Sequence, residues 1–458
     1  MYFLGRTRYV VLALSIICLT LIFSNSLALN FTVICMDDIR SEHYERTANS
    51  THEGVHWLES PAHINSLFSA IAIGCLLGTI PGPLLIHLIG VRGTMALYGT
   101  ISAFATLAFP FAVRAGFVTV FVMRILQGVG TGFSYPATGM VASQWSTTRA
   151  TGTFIALLSC HVQFCSIFTM PVAGTLCESR FGWPSVFYLQ GGLSALAFLA
   201  FFLFYKDDPK KHRNVSSEEL DKITRGKHGQ EKQKAPYRAI ATDRCILGIW
   251  LSNIGGNLGF QIFLLYGPTY INKVLHYDVT STGFVTALPY ILSAMMKFAV
   301  GPISDRATCI SDRWRLIFFA AFSQGVMALS FLSLVFITNP VLAQAAYTLT
   351  IVSSGINVVG TVKCAQMVAR QHVHIVMAVV SFLLCVIVLL IPVAVNTVCP
   401  DNTPEQWSHL FLGISVIIIV ANIPFVFVAR SEPAPWTGNR IHAALPEKIS
   451  TIQTEDLK

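Results

Sequence analysis

The chain has 458 residues, of which 53% are hydrophobic and only 12% are charged. Soluble globular proteins carry about 25% charged residues, so this composition excludes a soluble multi-domain enzyme and predicts a multi-span membrane protein. The formal net charge of +8 does not indicate a nucleic-acid partner, because eleven of the 31 basic residues lie in segment 206–244 beside seven acidic ones, as in a solvated loop.

Apolar stretches long enough to cross a bilayer recur along the whole chain. A helix needs about 20 apolar residues to span the hydrocarbon core. We predict twelve spans, at residues 9–29, 64–89, 94–113, 116–137, 151–176, 186–204, 246–270, 281–300, 316–337, 340–362, 373–395 and 410–428. The first is interpreted as a retained span, since it lacks the small-residue cleavage site of a signal peptide.

The distribution of Lys and Arg predicts the orientation of these spans. With twelve spans, the basic loops and both termini fall on one side, which the positive-inside rule assigns to the cytoplasm. The loop at residues 37–63 falls on the opposite side and has six acidic residues against two basic ones. This loop contains the sequon Asn49-Ser50-Thr51, so we expect Asn49 to be glycosylated. The choice between a plasma membrane and a lysosomal or vesicular membrane stays open.

The predicted fold class is an all-α membrane protein with its twelve helices in two six-helix bundles. We expect an N-terminal bundle at residues 1–205, a cytoplasmic central loop at 206–244, a C-terminal bundle at 245–429 and a cytoplasmic tail at 430–458. This is the outline of a two-bundle transporter, whose substrate site lies at the midplane between the halves.

Two Gly-Pro pairs occupy corresponding positions in the two halves. Gly82 lies near the cytoplasmic end of the second predicted span, and Gly301 directly follows the eighth, shortly before Asp305 and Arg306. A tight turn between closely packed helices needs a small residue, so Gly82 and Gly301 are interpreted as conformational turns, and the charges of Asp305 and Arg306 as a bias on helix packing. The alternative is that each Gly-Pro pair only terminates a helix.

Arg124 lies about eight residues into the fourth predicted span, which places it roughly 12 Å deep at 1.5 Å per residue. A charge at that depth costs about 2.5–3.5 kcal/mol on insertion scales, so the side chain should face a cavity or a partner. One interpretation is a fixed cation that recognises an anionic substrate, since the guanidinium offers a planar fork to a carboxylate or phosphate. The other is a structural arginine that donates to backbone carbonyls.

The twelve predicted spans contain no Asp or Glu. A proton-coupled carrier usually has an intramembrane carboxylate or histidine. His161 is the candidate for that role because its unperturbed pKa is near 6.5, although a neutral histidine with a structural hydrogen bond fits the sequence as well.

Polar amides within the spans are candidates for a hydrated pathway or for helix–helix hydrogen bonds. They are Asn30, Gln163, Asn257, Gln261 and Asn357. Lys297 is discounted as a site because it lies near the predicted cytoplasmic end of its span and can snorkel there. Cysteine and histidine spacing indicates no metal site. Cys177 and Cys399 both fall near the non-cytoplasmic face and are candidates for pairing.

Several sequence blocks resemble a known family in order along nearly the whole chain. They include Arg-Ile-Leu-Gln-Gly at residues 124–128, Gly-Trp-Pro-Ser-Val-Phe-Tyr at 182–188, Asp-Asp-Pro at 207–209, Leu-Pro-Tyr at 288–290, and Thr-Pro-Glu-Gln-Trp at 403–407. On these blocks the chain resembles the major facilitator superfamily. Within it, the chain is similar to the organic anion transporters that include sialin, the vesicular glutamate transporters and the type I sodium–phosphate cotransporters.

The resemblance implies twelve helices that work by alternating access on organic anions or phosphate, often with H⁺ or Na⁺ coupling. Arg124 matches the family's fourth-helix arginine, implicated in anion recognition, and Gln163 matches a fifth-helix glutamine near the substrate. Thr131 stands where the family usually has a glutamate implicated in proton coupling, and so indicates an altered or absent proton site. The family's usual first-helix arginine is replaced in the region of Asn30.

The sequence therefore predicts a secondary transporter of a small organic or inorganic anion, with Arg124, Gln163, Asn357, Asn257 and Asn30 as substrate contacts. The alternatives are a facilitative uniporter or exchanger, and a membrane sensor that keeps the fold without transport. We expect no enzyme activity, no cofactor other than a coupling ion, and no metal. The expected partners are an anionic solute and the lipid bilayer, and a monomer is expected by family analogy.

Overall fold

The computed structural model describes residues 6–39, 41, 56–147, 151–225, 236–306 and 311–437. Helices and their connections make up all of these residues. The helices are α1 Thr7–Thr32, α2 Pro61–Thr79, α3 Gly82–Ala115, α4 Phe117–Gly132, α5 Ser134–Trp145, α6 Thr151–Ser159, α7 His161–Cys177, α8 Pro184–Phe204, α9 Ser217–Thr224, α10 Tyr237–Thr242, α11 Arg244–Thr269, α12 Val279–Arg306, α13 Asp312–Phe336, α14 Pro340–Asn357, α15 Lys363–Ala369, α16 Val373–Val398 and α17 Pro404–Val428. Below, α1–α8 form the N half and α11–α17 form the C half.

In the described residues, eleven helical segments are long and apolar enough to cross a membrane. They coincide with eleven of the twelve predicted spans. The seventh, α11, has 26 residues and is long enough to span, but it is not among the eleven. Its middle carries Asn253, Asn257 and Gln261 among three glycines, and most of its residues are buried inside the bundle, where contact with other helices replaces contact with lipid.

The fourth, fifth and tenth spans are each interrupted within the membrane region. The fourth is divided into α4 and α5 at Phe133, and the fifth into α6 and α7 at Cys160. In the tenth, a π-helical turn at Val358–Val362 separates α14 from α15. Irregular backbone at this depth is tolerated where it is buried in protein or lines a cavity.

The prediction that Gly82 and Gly301 form turns is wrong. Gly301 lies inside α12, which continues to Arg306, and Gly82 begins the helical segment that continues the second span. The break between the second and third spans is at Gly90, whose φ is +72°. A Cβ at Gly90 would lie 2.5 Å from Asp207 Oδ2, so a larger residue is excluded there by backbone conformation and by space. Asp305 and Arg306 form the last residues of α12.

Glycines set the closest helix contacts in the bundle. A Cβ on Gly128 of α4 would lie 2.2 Å from the carbonyl oxygen of Ile71 in α2, and one on Gly283 of α12 would lie 2.6 Å from that of Met170 in α7. Gly128 and Gly132 thus let α4 pack closely against α2. The pair α7 and α12 and the pair α2 and α16 form the main contacts between the halves.

The hydrophobic core is shared by the two halves at one end of the bundle and divided at the other. One cluster joins Leu29 and Phe68 of the N half to Phe263 and Phe411 of the C half. At the other end, one cluster around Trp145 belongs to the N half and a second around Ile246 belongs to the C half. The shared core lies at the disulfide end, which carries the Cys35–Cys177 bond, and the divided cores lie at the loop end, near residues 205–243.

The disulfide joins Cys35, after α1, to Cys177, at the end of α7. The predicted partner of Cys177 was Cys399, and this pairing is wrong, since Cys399 is a free buried thiol. Asn49 lies outside the described residues.

Candidate functional site

A cavity of about 80 Å³ lies between the two halves. Residues of α1, α2, α4, α5 and α7 line it from the N half, and residues of α11 and α16 line it from the C half. Its polar lining comprises Ser26, Asn30, Arg124, Thr131, Tyr135 and Gln261, together with the thiols of Cys75, Cys165 and Cys385. A cavity between the halves agrees with the predicted position of the site.

Arg124 lies in the cavity wall and is fully buried. Its Nε donates to the carbonyl oxygen of Leu67 at 3.1 Å, and its Nη1 donates to the carbonyl oxygen of Ser26 at 2.6 Å and to Gln127 Oε1 at 3.1 Å. Its Nη2 donates to Asn30 Oδ1 at 3.1 Å. These bonds come from α1, α2 and α4, and they hold the guanidinium in one orientation.

The partners of Arg124 are backbone carbonyls and side-chain amides, and none of them is a carboxylate. Four of the five guanidinium N–H groups are used, and the positive charge is left without a counter-ion from these contacts. An ionised side chain in a low-dielectric site is costly unless it is paired. Both interpretations of Arg124 therefore find support, because the residue is tied to carbonyls and it also presents an unneutralised charge to a cavity.

Asn30 and Thr131 both line the cavity. Asn30 orients Arg124 through its amide oxygen. Thr131 Oγ1 donates to the carbonyl oxygen of Gly128 at 2.7 Å within its own helix. A hydroxyl does not exchange a proton near neutral pH, so Thr131 supplies polarity to the cavity and no titratable group.

His161 lies beside the cavity. Its Nδ1 donates to the carbonyl oxygen of Leu158 at 2.6 Å, and its Nε2 is buried without a partner. Its ring packs against Phe23, with ring centroids 4.9 Å apart, and against Tyr135, at 6.4 Å. Both of these aromatic residues line the cavity. His161 is thus one side chain away from the cavity, with a free nitrogen.

Gln163 is buried in α7 and accepts a hydrogen bond from Lys297 Nζ, 3.1 Å from its Oε1. This bond crosses from the C half to the N half. The prediction that Lys297 snorkels to a membrane surface is therefore wrong, because its head group lies between the halves. Sequence position alone did not reveal this, since the partner is 134 residues away.

Asn357 and Asn257 are not among the residues that line the cavity. The amide nitrogen of Asn357 lies over Gly256 of α11, 2.8 Å from where a Cβ would stand, and its Oδ1 is buried without a partner. Asn257 is half-buried one helical turn before Gln261, and it is Gln261 that reaches the cavity. The structure thus brings Asn30, Arg124 and Thr131 together at the cavity and leaves the two C-half asparagines outside it.

Two cysteines in the cavity wall belong to different halves. Cys75 Sγ of α2 lies 3.1 Å from Cys385 Sγ of α16. Their separation of 310 residues leaves no signal of this contact in the sequence. Among the described residues, no group of three or more His, Cys, Asp or Glu side chains is arranged to hold a metal ion.

A family model described as Major Facilitator Superfamily matches residues 9–392. The chain is 24% identical to human sialin over 381 residues, which cover 81% of this chain and 76% of sialin. It is 24% identical to the sodium-dependent phosphate transport protein 1 of Oryctolagus cuniculus over 460 residues, 96% of this chain and 97% of that protein. The fold is similar to a crystal structure of a D-xylose-proton symporter, with a TM-score of 0.68 and 15% identity over 94% of this chain and 99% of that one.

Proposed function

Because this chain belongs to the major facilitator superfamily, a family of multi-pass membrane transporters, we propose that it carries a small organic or inorganic anion across a membrane by alternating access. The observation that carries the anion assignment is Arg124, a fully buried cation at the cavity wall whose hydrogen-bond partners are all neutral. An anion in the cavity supplies the missing counter-charge. The similarity to sialin and to a sodium-dependent phosphate transport protein supports the same class of solute.

The hydrogen bonds of Arg124 fix the orientation of its guanidinium group before a ligand binds. A guanidinium that is already oriented loses little side-chain entropy when a ligand arrives, and it binds a carboxylate or phosphate through directed, charge-assisted bonds. One Nη2 hydrogen remains for the ligand after the contacts with the protein. Asn30 and Gln127 then act as positioning residues that keep the guanidinium group of Arg124 directed towards the anion.

The arrangement of the cores supports one state of a transport cycle. At the disulfide end the halves share one hydrophobic core and hydrogen bonds, including Asn65 Nδ2 to Asn396 Oδ1 at 3.2 Å and Thr280 Oγ1 to Glu178 Oε2 at 2.6 Å. At the loop end the halves have separate cores. With the loop end in the cytoplasm, as the positive-inside rule places it, the protein is closed to the outside and the halves separate on the inside. Rocking of one half against the other would reverse this.

If transport is coupled to protons, His161 is the side chain that binds the proton. Thr131 cannot take up a proton, and the predicted spans contain no carboxylate. The unpartnered Nε2 of His161 lies behind Phe23 and Tyr135 in the cavity wall. A facilitative carrier or exchanger needs no such group, so insensitivity of uptake to both an imposed proton gradient and an imposed sodium gradient would assign the protein to that class.

The test uses purified protein in proteoliposomes, with phosphate, sialate, glutamate and urate as labelled probes. We expect at least one of them to accumulate, and we expect Arg124→Gln to reduce its uptake at least tenfold, because the fixed positive charge is lost. Arg114→Gln is the matched control, since Arg114 is exposed at the end of α3. Unchanged uptake by a folded Arg124→Gln variant would reassign Arg124 to a structural role.

Thermal stability measured with the same probes separates a carrier from a sensor. A ligand that binds the folded state raises its stability by RT ln(1 + [L]/Kd), about 1.4 kcal/mol at ten times Kd. Stabilisation by an anion together with uptake supports the carrier. Stabilisation without uptake of that anion would support the sensor, and stabilisation by cations alone would contradict the assignment of an anionic ligand.

A further inference from the structure

We infer that Lys297 is a second cationic substrate contact, supplied by the C half, and that the transported solute is a dianion whose two anionic groups are held by Arg124 and Lys297. This inference rests on the proposed anion carrier and specifies the charge of its substrate. It starts from the juxtaposition of Lys297 Nζ and Gln163 Oε1 between the halves, 3.1 Å apart.

The side chain of Lys297 points into the bundle. A Cβ built on Gly355 of α14 would lie 3.5 Å from Cγ of Lys297, so the aliphatic stem of the lysine passes close to that glycine. From there the ammonium group reaches Gln163 on α7. The lysine thus extends from the eighth span between the tenth span and the fifth, away from lipid. Gly355 leaves room for it, because a larger residue would also meet the carbonyl oxygen of Ser293, at 3.0 Å.

The partner of Lys297 is a neutral amide, just as the partners of Arg124 are neutral. Each half therefore contributes one cation, Arg124 from the N half and Lys297 from the C half. None of the hydrogen-bond partners of either cation is a carboxylate. The sequence offers no Asp or Glu within the predicted spans to neutralise either of them. A fully buried Arg124 and a half-buried Lys297 in one protein interior repel each other and each carries a desolvation cost, and a solute with two negative groups offsets both penalties at once.

The two cations lie at different depths. Arg124 contacts Asn30 of α1, whereas His161, two residues before Gln163, packs on Phe23 of the same helix. Seven residues of α-helix separate Phe23 from Asn30, a rise of roughly 10 Å. Cations at two depths suit a solute whose two anionic groups are separated along its length, because each group then forms its own charge-assisted hydrogen bonds. A short dicarboxylate has this form, whereas a single phosphate group does not.

Gln163 holds the position of the second anionic group when the solute is absent. Its amide oxygen is a weaker acceptor for an ammonium group than a carboxylate is. A dianion that enters from the loop end would therefore replace Gln163 as the partner of Lys297. Because Gln163 and Lys297 belong to opposite halves, the exchange also releases a contact across the interface of α7 and α12, where the halves must move against each other.

The experiment compares succinate with butyrate, which have the same number of carbons and differ by one carboxylate. Their Kd values are measured by calorimetry and thermal stability on the purified full-length protein at pH 7.5. We expect wild-type protein to bind succinate at least tenfold more tightly than butyrate. We expect Lys297→Met to bind the two equally, since Met keeps the length of the side chain and removes its charge, and Lys297→Arg to retain the preference.

A second variant keeps Lys297 and does not depend on how its replacement folds. Gln163→Glu is nearly isosteric and supplies a carboxylate to Lys297, so it should weaken succinate binding at least tenfold and leave butyrate binding within threefold of wild type. Equal affinities of wild-type protein for succinate and butyrate, or a preference that survives both Lys297→Met and Gln163→Glu, would overturn the inference and leave the anion carrier in place. Absence of stabilisation by any anion, including phosphate, sialate, glutamate and urate, would overturn both.

Discussion

Asp243 is the residue that joins the start of the C half to the segment that follows its last span. Its Oδ1 accepts the backbone N–H of Cys245 at 2.9 Å, which caps α11. Its Oδ2 accepts from Trp436 Nε1 at 2.9 Å and forms an ion pair with Arg430. One carboxylate thus fixes a helix start and the chain after α17 together.

These contacts determine the charge state of Asp243. Partial burial opposes ionisation of the carboxyl, but the hydrogen bonds from Trp436 and Arg430 outweigh it and hold the pKa below its ordinary value. The folded state therefore favours the carboxylate. The resulting stability is present above the ordinary aspartate pKa of about 3.9 and is lost as the pH falls through the lowered pKa.

We predict that Asp243→Asn lowers the stability of the purified protein by about 1 kcal/mol at pH 7, because Asn keeps the helix cap but loses the ion pair with Arg430 and the charge-assisted hydrogen bond from Trp436. The difference in Tm between the variant and wild type should start to shrink below about pH 4, where the carboxyl of the unfolded chain becomes protonated, and should vanish below the lowered pKa of the folded state. Thermal unfolding between pH 7 and pH 3 measures this. Asp221→Asn is the control, because its ion pair with Arg225 is exposed and contributes little. A difference in Tm that does not depend on pH would contradict the assignment.

Among the helices, α2 and α16 form a contact between the halves that can be made covalent. The thiols of Cys75 and Cys385 lie 3.1 Å apart across this contact. A copper–phenanthroline oxidant that removes two electrons and two protons would join them as a disulfide. Because the bond would link the halves next to the cavity, it would prevent them from moving past each other there.

We predict that this oxidation stops transport and that dithiothreitol restores it. In protein with a protease site introduced between residues 225 and 236, the two halves should migrate together on a non-reducing gel after cleavage. Cys75→Ser should abolish both effects. The pair Cys245 and Cys364, with Sγ atoms 3.9 Å apart, is the control, since both belong to the C half and cannot join it to the N half. Cross-linking that requires Cys245 and not Cys75 would contradict the predicted contact.

At the scale of the whole molecule, the orientation in the membrane is tested by asking which loop is exposed outside the cytoplasm. We predict that Asn49→Gln removes an N-linked glycan from the protein expressed in eukaryotic cells, because the loop at residues 37–63 is expected outside the cytoplasm. Gel mobility with and without glycosidase measures this. Asn214→Gln is the matched control, since Asn214 also begins a sequon but lies in the central loop. A glycan lost with Asn214 would reverse the orientation.

The positions of the membrane helices could be predicted from the sequence because hydropathy is a local property. The burial of Arg124 followed from its depth within a span, but its partners Leu67, Ser26 and Asn30 come from two other helices and leave no local signal. The errors have the same origin. Gly82 and Gly301 were interpreted from turn preferences that helix packing overrides, and Lys297 was interpreted from its distance to a helix end, although its partner lies on the other half.

The shared core at the disulfide end affects how the opening of that end depends on temperature. Opening that end would expose residues such as Phe68 and Tyr266, whose rings pack edge to face across the two halves, to water, and hydration of apolar surface raises the heat capacity. The step that opens this end should therefore have a positive heat-capacity change and a curved Arrhenius plot. Apolar association weakens on cooling. Low temperature should therefore favour the conformation in which the halves are separated at the disulfide end and in contact at the loop end.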